Sequence, residues 1–268
     1  MLSPTTLDHV LSDPAHAAVW RAGALGGASA RTLATGYAKL DAVLSGEGWP
    51  LGVLVEVLQT QAGRHEWGFI APALAAMQRE DPGQLIVLVG APQLPFGPSL
   101  AAQRINMRRL LSVHAPAGQA PSLLWATREA LQCADVAAVL AWLPDARSAH
   151  LRRLQIAAHS HHKLLFVFRP LRAQNESSPA PLRLLIEGVP RDNCQLQVSV
   201  FKRRGPPLAA PILLDTRPAR LAALLAATRD RARRKREETS PTLPSFTSAA
   251  SPVPTHAVLD RPLQLDHH

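Results

Sequence analysis

The chain has 268 residues, 47% of them hydrophobic, enough to bury one large α/β core or two small ones. Its net charge of +9 and pI near 10.8 favour an acidic partner (nucleic acid, an acidic protein surface or anionic lipid) over no partner, with a solvated basic surface as the plain alternative. No apolar run reaches the roughly 18 residues of a membrane-crossing helix, which argues against a membrane protein. The first residues (MLSPTTLDHVLSDPAH) are acidic in part and lack an apolar h-region, so no secretory signal is expected. Cys133 and Cys194 lie far apart without C-x-x-C spacing, which predicts two buried thiols in a reducing cytoplasm.

Residues 1–32 read as a helical lead and linker, with Trp20 and the stretch GALGGASA. Residues 52–58 (GVLVEVL) read as a buried strand, 59–65 (QTQAGRH) as a connection and 66–78 as a helix. Further strands are expected at 85–89, 110–114, 137–143 and 164–168. Helices are expected at 98–109, 123–133 and 147–159, where apolar residues recur at helical spacing. Unbroken apolar strands alternating with helices predict a mostly parallel sheet covered on both faces. Residues 182–188 and 194–202 flank Pro-Arg-Asp-Asn turn chemistry and predict an antiparallel hairpin. Residues 213–236 predict a helix with Thr216 as N-cap and Pro218 in its first turn. After residue 238 the chain is rich in Pro, Ser and Thr, a composition that predicts disorder. The expected organisation is thus a lead (1–32), an α/β domain with a C-terminal hairpin (33–215), a basic amphipathic helix (216–238) and a tail (239–268).

The strand–loop–helix around residues 53–78 has the outline of a nucleotide site without its residues. A phosphate-cradling loop needs G-x-x-x-x-G-K-[ST], with Lys for the β/γ-phosphates and a hydroxyl for magnesium. Here Gly63 is followed by Arg64, His65 and Glu66. An acidic residue at that helix start would repel phosphate. This points to binding rather than turnover, with no catalytic residue and no cofactor.

Two basic clusters are candidate contacts for nucleic acid or a protein partner. Lys202, Arg203 and Arg204 end a strand before Gly205, and either clamp phosphates or are a solvated strand end. Arg229, Arg231, Arg233, Arg234, Lys235 and Arg236 form a denser run, either a binding surface or a basic helix end that suits the dipole. No aromatic residue interleaves with that run, so base stacking is not indicated. Leu221, Leu224 and Leu225 share a helix face that either completes the core or docks in a partner's groove. His159, His161 and His162 have no Cys or carboxylate nearby, so no metal site is expected. The tryptophans read as packing residues, with Trp20 a candidate anchor for a neighbouring subunit.

Residues 33–58 (LATGYAKLDAVLSGEGWPLGVLVEVL) resemble the approach to the RecA ATPase core: a Thr-Gly turn, Leu-Asp, a Gly-rich bend and Pro-x-Gly leading into the first strand. Where RecA ends a later strand in a magnesium-supporting Asp, this chain has Ala141-Trp142. Where RecA presents a catalytic acid, it has VGAP at 89–92. The closer resemblance is to the ImuA family, RecA-like accessory proteins of bacterial mutagenic translesion synthesis. It rests on Val19-Trp20-Arg21, Gly48-Trp49-Pro50, Pro72-Ala73-Leu74, Leu124-Trp125-Ala126, LAWLP at 140–144, LRRLQIAA at 151–158, FRP at 168–170, SPAPLRL at 178–184 and KRRG at 202–205. The resemblance implies a RecA-like fold and a cytoplasmic, non-catalytic adaptor of the SOS response. It implies as partners ImuB, an inactive Y-family polymerase relative, and an error-prone C-family DNA polymerase, with RecA or DNA as further candidates. A SulA-like inhibitor of cell division and a sequence-independent DNA-binding protein are the competing readings.

Overall fold

The computed structural model describes residues 31–239 apart from Ala117, Arg191, Pro207 and Ala209, with backbone alone at Asn193, Ala219, Arg220, Ala222 and 235–239. The expected lead and tail therefore lie almost wholly outside the described residues. Two compact units are distinguished, Met1–Leu221 and Ala222–His268.

Two short strands, β1 (Thr32–Leu33) and β2 (Trp49–Pro50), pair antiparallel on either side of helix α1 (Ala38–Asp41). Then come β3 (Leu54–Gln59), α2 (Glu66–Glu80), β4 (Leu85–Val89), the short α3 (Gly97–Ala102) and β5 (Leu110–Val113). They are followed by α4 (Ala120–Gln132), β6 (Val136–Trp142), α5 (Ser148–Ser160) and β7 (Leu164–Pro170). The hairpin β8 (Leu182–Val189) and β9 (Asp192–Lys202), the strand β10 (Ile212–Asp215) and helix α6 (Ala219–Thr239) complete the described chain.

The large sheet has eight strands in the order β10-β9-β8-β3-β7-β6-β4-β5. The run from β8 to β5 is parallel throughout, and β9 is antiparallel to both neighbours. Every residue of β3 and β6 is buried, which is why β6 is apolar without alternation and β3 is apolar but for Glu56 and Gln59. Val55 and Val57 pack on one face with Phe69, Ile70 and Leu74 of α2. Leu54, Val139 and Val167 pack on the other with Leu131 of α4 and Leu151 and Leu154 of α5. The expected parallel sheet, flanked by helices and extended by an antiparallel hairpin, is the observed architecture.

Helix α2 runs through an interior proline, Pro72. Proline has no N–H to give the carbonyl four residues earlier, which here belongs to Gly68. The Tyr37 hydroxyl donates to that carbonyl instead. Burial, and then the nearby Asp215 charge, push the Tyr37 hydroxyl up to about 12, so it stays a donor at any ordinary pH.

Two expected elements differ. The helix expected at 98–109 stops at Ala102, Arg104 is left-handed (φ 68°), and Met107–Arg109 is a 3-10 turn. Gln78 holds the Asn106 backbone from both sides, accepting from its N–H at 2.7 Å and donating to its carbonyl at 3.2 Å, and this competes with helix continuation. The helix expected from 213 starts instead at Ala219, because residues 212–215 pair with β9 as β10. Leu214 points inward at 2% exposure while Leu213 points out, a period of two that outweighs the helical pattern. Thr216 is no N-cap: its N–H and its hydroxyl both donate to the Cys194 carbonyl. Neither cysteine is buried as expected, since Cys133 is exposed and Cys194 half-buried.

Candidate functional site

The loop between β3 and α2 leaves the sheet at the carboxyl ends of the parallel strands, where α/β sheets place ligands. Its first-turn amides would ordinarily face an anion. In this chain the anion is internal. Glu66, the first residue of α2, is 1% exposed and turns its carboxylate back into the loop. Its Oε1 accepts from Gly63 N at 2.6 Å, Gln59 Nε2 at 2.8 Å and Trp142 Nε1 at 2.9 Å, and its Oε2 accepts from His65 N at 3.0 Å. Gly63 reaches this geometry with φ of 83°, open to glycine without strain. From sequence alone Glu66 is only a charge that repels phosphate. The structure makes it the loop's own resident anion, with the indole of the residue ending β6 as one of its donors.

His65 and Arg64 line a small polar cavity of about 230 Å³ with Thr60, Gln61 and Glu187. The Arg64 guanidinium donates to Gln61 at 3.2 Å. Burial pushes the His65 imidazole below its usual range, and Arg64 beside it adds to this; Glu66 pulls weakly the other way. A Cβ at Gly188 on β8 would lie 2.6 Å from the imidazole, so any larger residue there would make the His65 ring shift.

A second buried cluster has no counterpart among the residues expected from sequence. Glu56, fully buried in the middle of β3, accepts from Arg169 NH1 of β7 at 2.9 Å and from Arg183 Nε of β8 at 2.7 Å. Arg169 also pairs with Glu176 at 2.6 Å, and Arg183 donates to the carbonyls of Ala173 and Gln174. The Arg183 guanidinium lies 4.9 Å from the Phe201 ring centre. One carboxylate thus bridges three neighbouring strands. The Arg169 partner holds the Glu176 carboxyl below the usual carboxylate range. The signal in the sequence was a lone Glu inside GVLVEVL, which a buried strand tolerates only with paired charge.

The basic clusters fall into different settings. Arg203 is drawn inward, its guanidinium donating to the carbonyls of Pro206 and Val43. Lys202 Nζ donates to the Ser178 carbonyl at 2.9 Å, and the Arg204 carbonyl accepts from Ser45 Oγ at 2.5 Å. The KRRG end of β9 therefore ties several loops together. Arg229, Arg231, Arg233 and Arg234 are exposed on α6, and Lys235 and Arg236 continue it in backbone. Leu221, Leu224 and Leu225 are exposed at 45%, 61% and 36%.

Trp49 is fully buried between Phe69 and Phe166, and Trp142 stacks on Phe168 at 4.7 Å, as packing residues should. Trp125 does not fit that expectation: it is 65% exposed on α4. The rings of His159 and His162 are 6.2 Å apart, and no group of metal ligands occurs among the described residues. No helix among the described residues is long and apolar enough to cross a membrane. No protein-family model matches the chain, and no curated protein matches it.

Proposed function

We propose that this chain is a non-catalytic, RecA-like adaptor of SOS-induced mutagenic translesion synthesis, bridging an ImuB-type inactive polymerase relative and an error-prone C-family polymerase. The observation that carries the reading is the Glu66 carboxylate, which occupies the amides at Gly63 and His65 from within the loop. A nucleotide phosphate would have to displace an anion held by four hydrogen bonds and then sit beside it. The resemblance to RecA puts a hydroxyl and a carboxylate at the two places where this chain has Glu66 and Trp142. Donor and acceptor are exchanged between them, so the pair satisfies itself without magnesium. The parallel sheet, the interior position of β3 and the antiparallel hairpin are compatible with a RecA-like core that has kept its scaffold. The ImuA-like segments supply the partners.

Two measurements test this. Calorimetry with millimolar Mg-ATP is expected to give no binding isotherm. Gel filtration of the purified chain with the two polymerase partners is expected to give a ternary complex that neither partner forms with the other alone. A saturable ATP isotherm, or separate elution of all three proteins, would overturn the reading.

A further inference from the structure

The helices after β4 and β6 lie on opposite faces of the sheet although the two strands are neighbours. Such a reversal opens a crevice outside the carboxyl ends of the strands. A cavity of about 610 Å³ occupies it, within the size range of ligand pockets and lined by no residue of the Glu66 loop. Its apolar lining includes Leu123, Leu143 and Leu154. Trp125 stands at its rim, and Arg128, three residues on along α4, shares that helix face. Across the crevice α5 contributes His150 and, again three residues on, Arg153.

The charge of this rim is one-sided. Arg128 and Arg153 are both exposed and have no ion-pair partner among the described residues. The one acidic lining residue, Asp145, is already paired with Arg172 at 3.1 Å. His150 Nδ1 accepts from the Arg147 N–H at 3.2 Å, which places its proton on Nε2 as a further donor. An apolar floor, an exposed indole and two uncompensated guanidinium groups complement a large apolar side chain flanked by carboxylates.

We propose that this crevice docks an acidic segment of a partner protein, which inserts an apolar anchor beside Trp125 and sets carboxylates against Arg128 and Arg153. The assignment deepens the adaptor reading and rests on it only in taking the partner to be a protein. An apolar floor of leucines favours a side chain over a nucleotide, whose base would leave its polar edge unpaired there.

The test uses the full chain and a short fluorescein-labelled peptide with a Phe-Leu centre flanked by Asp and Glu. Controls replace the anchors by Ala or the acids by Lys, and oligo-dT serves as a competitor. Fluorescence anisotropy is expected to show saturable binding of the acidic peptide alone. Trp125→Ala should weaken it at least about tenfold. Arg128→Glu with Arg153→Glu should transfer the preference to the Lys-flanked peptide. A circular-dichroism melt checks that each variant folds; should the double variant unfold, Trp125→Ala, at an exposed position, decides alone. Absence of saturable binding, or equal binding by wild type and variants, overturns the proposal. So does displacement of the peptide by oligo-dT with loss of oligo-dT binding in Trp125→Ala, which would make the crevice a nucleic-acid platform. The two polymerase partners separate this from the adaptor reading. If wild type and variants bind them equally, the crevice fails and the adaptor stands. If neither binds them while the peptide result holds, the adaptor fails and the crevice stands.

Discussion

The Trp142 indole donates to the Glu66 carboxylate across 2.9 Å, joining the end of β6 to the start of α2. The same carboxylate also collects the amides of the loop that precedes α2. The interaction explains how a buried acid is tolerated at a helix start. Two backbone N–H groups, an amide and an indole share its charge, and the helix dipole adds to them.

Glu66→Ala should therefore cost about 3–5 kcal/mol, because it strands several buried donors at once. Trp142→Phe keeps the stacking on Phe168 and removes one donor of four, so about 1–2 kcal/mol is expected. Urea denaturation of both variants and of the double variant gives the coupling. Losses that simply add would mean the indole and the carboxylate are independent.

Much of the fold was legible because parallel strands carry their own signal: five separate apolar runs became β3 to β7 within a residue or two of their expected limits. The hairpin was legible from its turn residues. Two elements were misread where a local pattern met a tertiary bond. Gln78 ends one helix by binding Asn106, and the Cys194 carbonyl takes the Thr216 groups that would have capped another. Neither partner is near in sequence. The site was half legible. The missing Lys and hydroxyl could be read from the loop, but not that Glu66 would turn inward, since Trp142 lies 76 residues away. Glu56 was visible as an acid in an apolar strand, while its arginines came from strands 113 and 127 residues further on.

Glu56→Gln should be among the most damaging single changes in the sheet. It leaves Arg169 and Arg183 buried without their shared counter-charge, at a cost of about 3–5 kcal/mol. Arg183→Leu should cost less than that, because Arg169 still pairs with both glutamates. The comparison is made by guanidinium denaturation at pH 7. If Glu56→Gln is the milder variant, the cluster is not organised around its carboxylate.

His65 gives a pH dependence with a defined sign. Its imidazole titrates below 6.5 in the folded chain and near 6.5 in the unfolded one. The unfolded state therefore takes up the proton first on acidification. The stability this supplies is complete above about pH 6.5 and is lost as the pH falls through the lowered folded value. His65→Gln should flatten the stability curve between pH 7.5 and 5.5 relative to wild type, whatever its absolute stability. Parallel curves would show that the shift contributes nothing.

Truncations separate the helix from the sheet. Ending the chain after Leu221 retains the whole of the first compact unit and removes the basic run from Arg229 to Arg236. That variant should melt cooperatively within a few degrees of the full chain and bind the polymerase partners more weakly. Ending it before Thr216 strips more than the helix. Thr216 then no longer bonds Cys194, and Arg217 no longer joins Asp192 to Asp215 through ion pairs of 3.0 and 2.9 Å. Its melting temperature should fall further, because β10 loses the anchor at its end. Calorimetry for the melts and gel filtration with the polymerase partners give both readouts. If the truncation after Leu221 keeps full partner binding, the apolar face of Leu224 and Leu225 and the arginines beyond it are not the interaction element, and the surfaces of the sheet unit must carry the adaptor role.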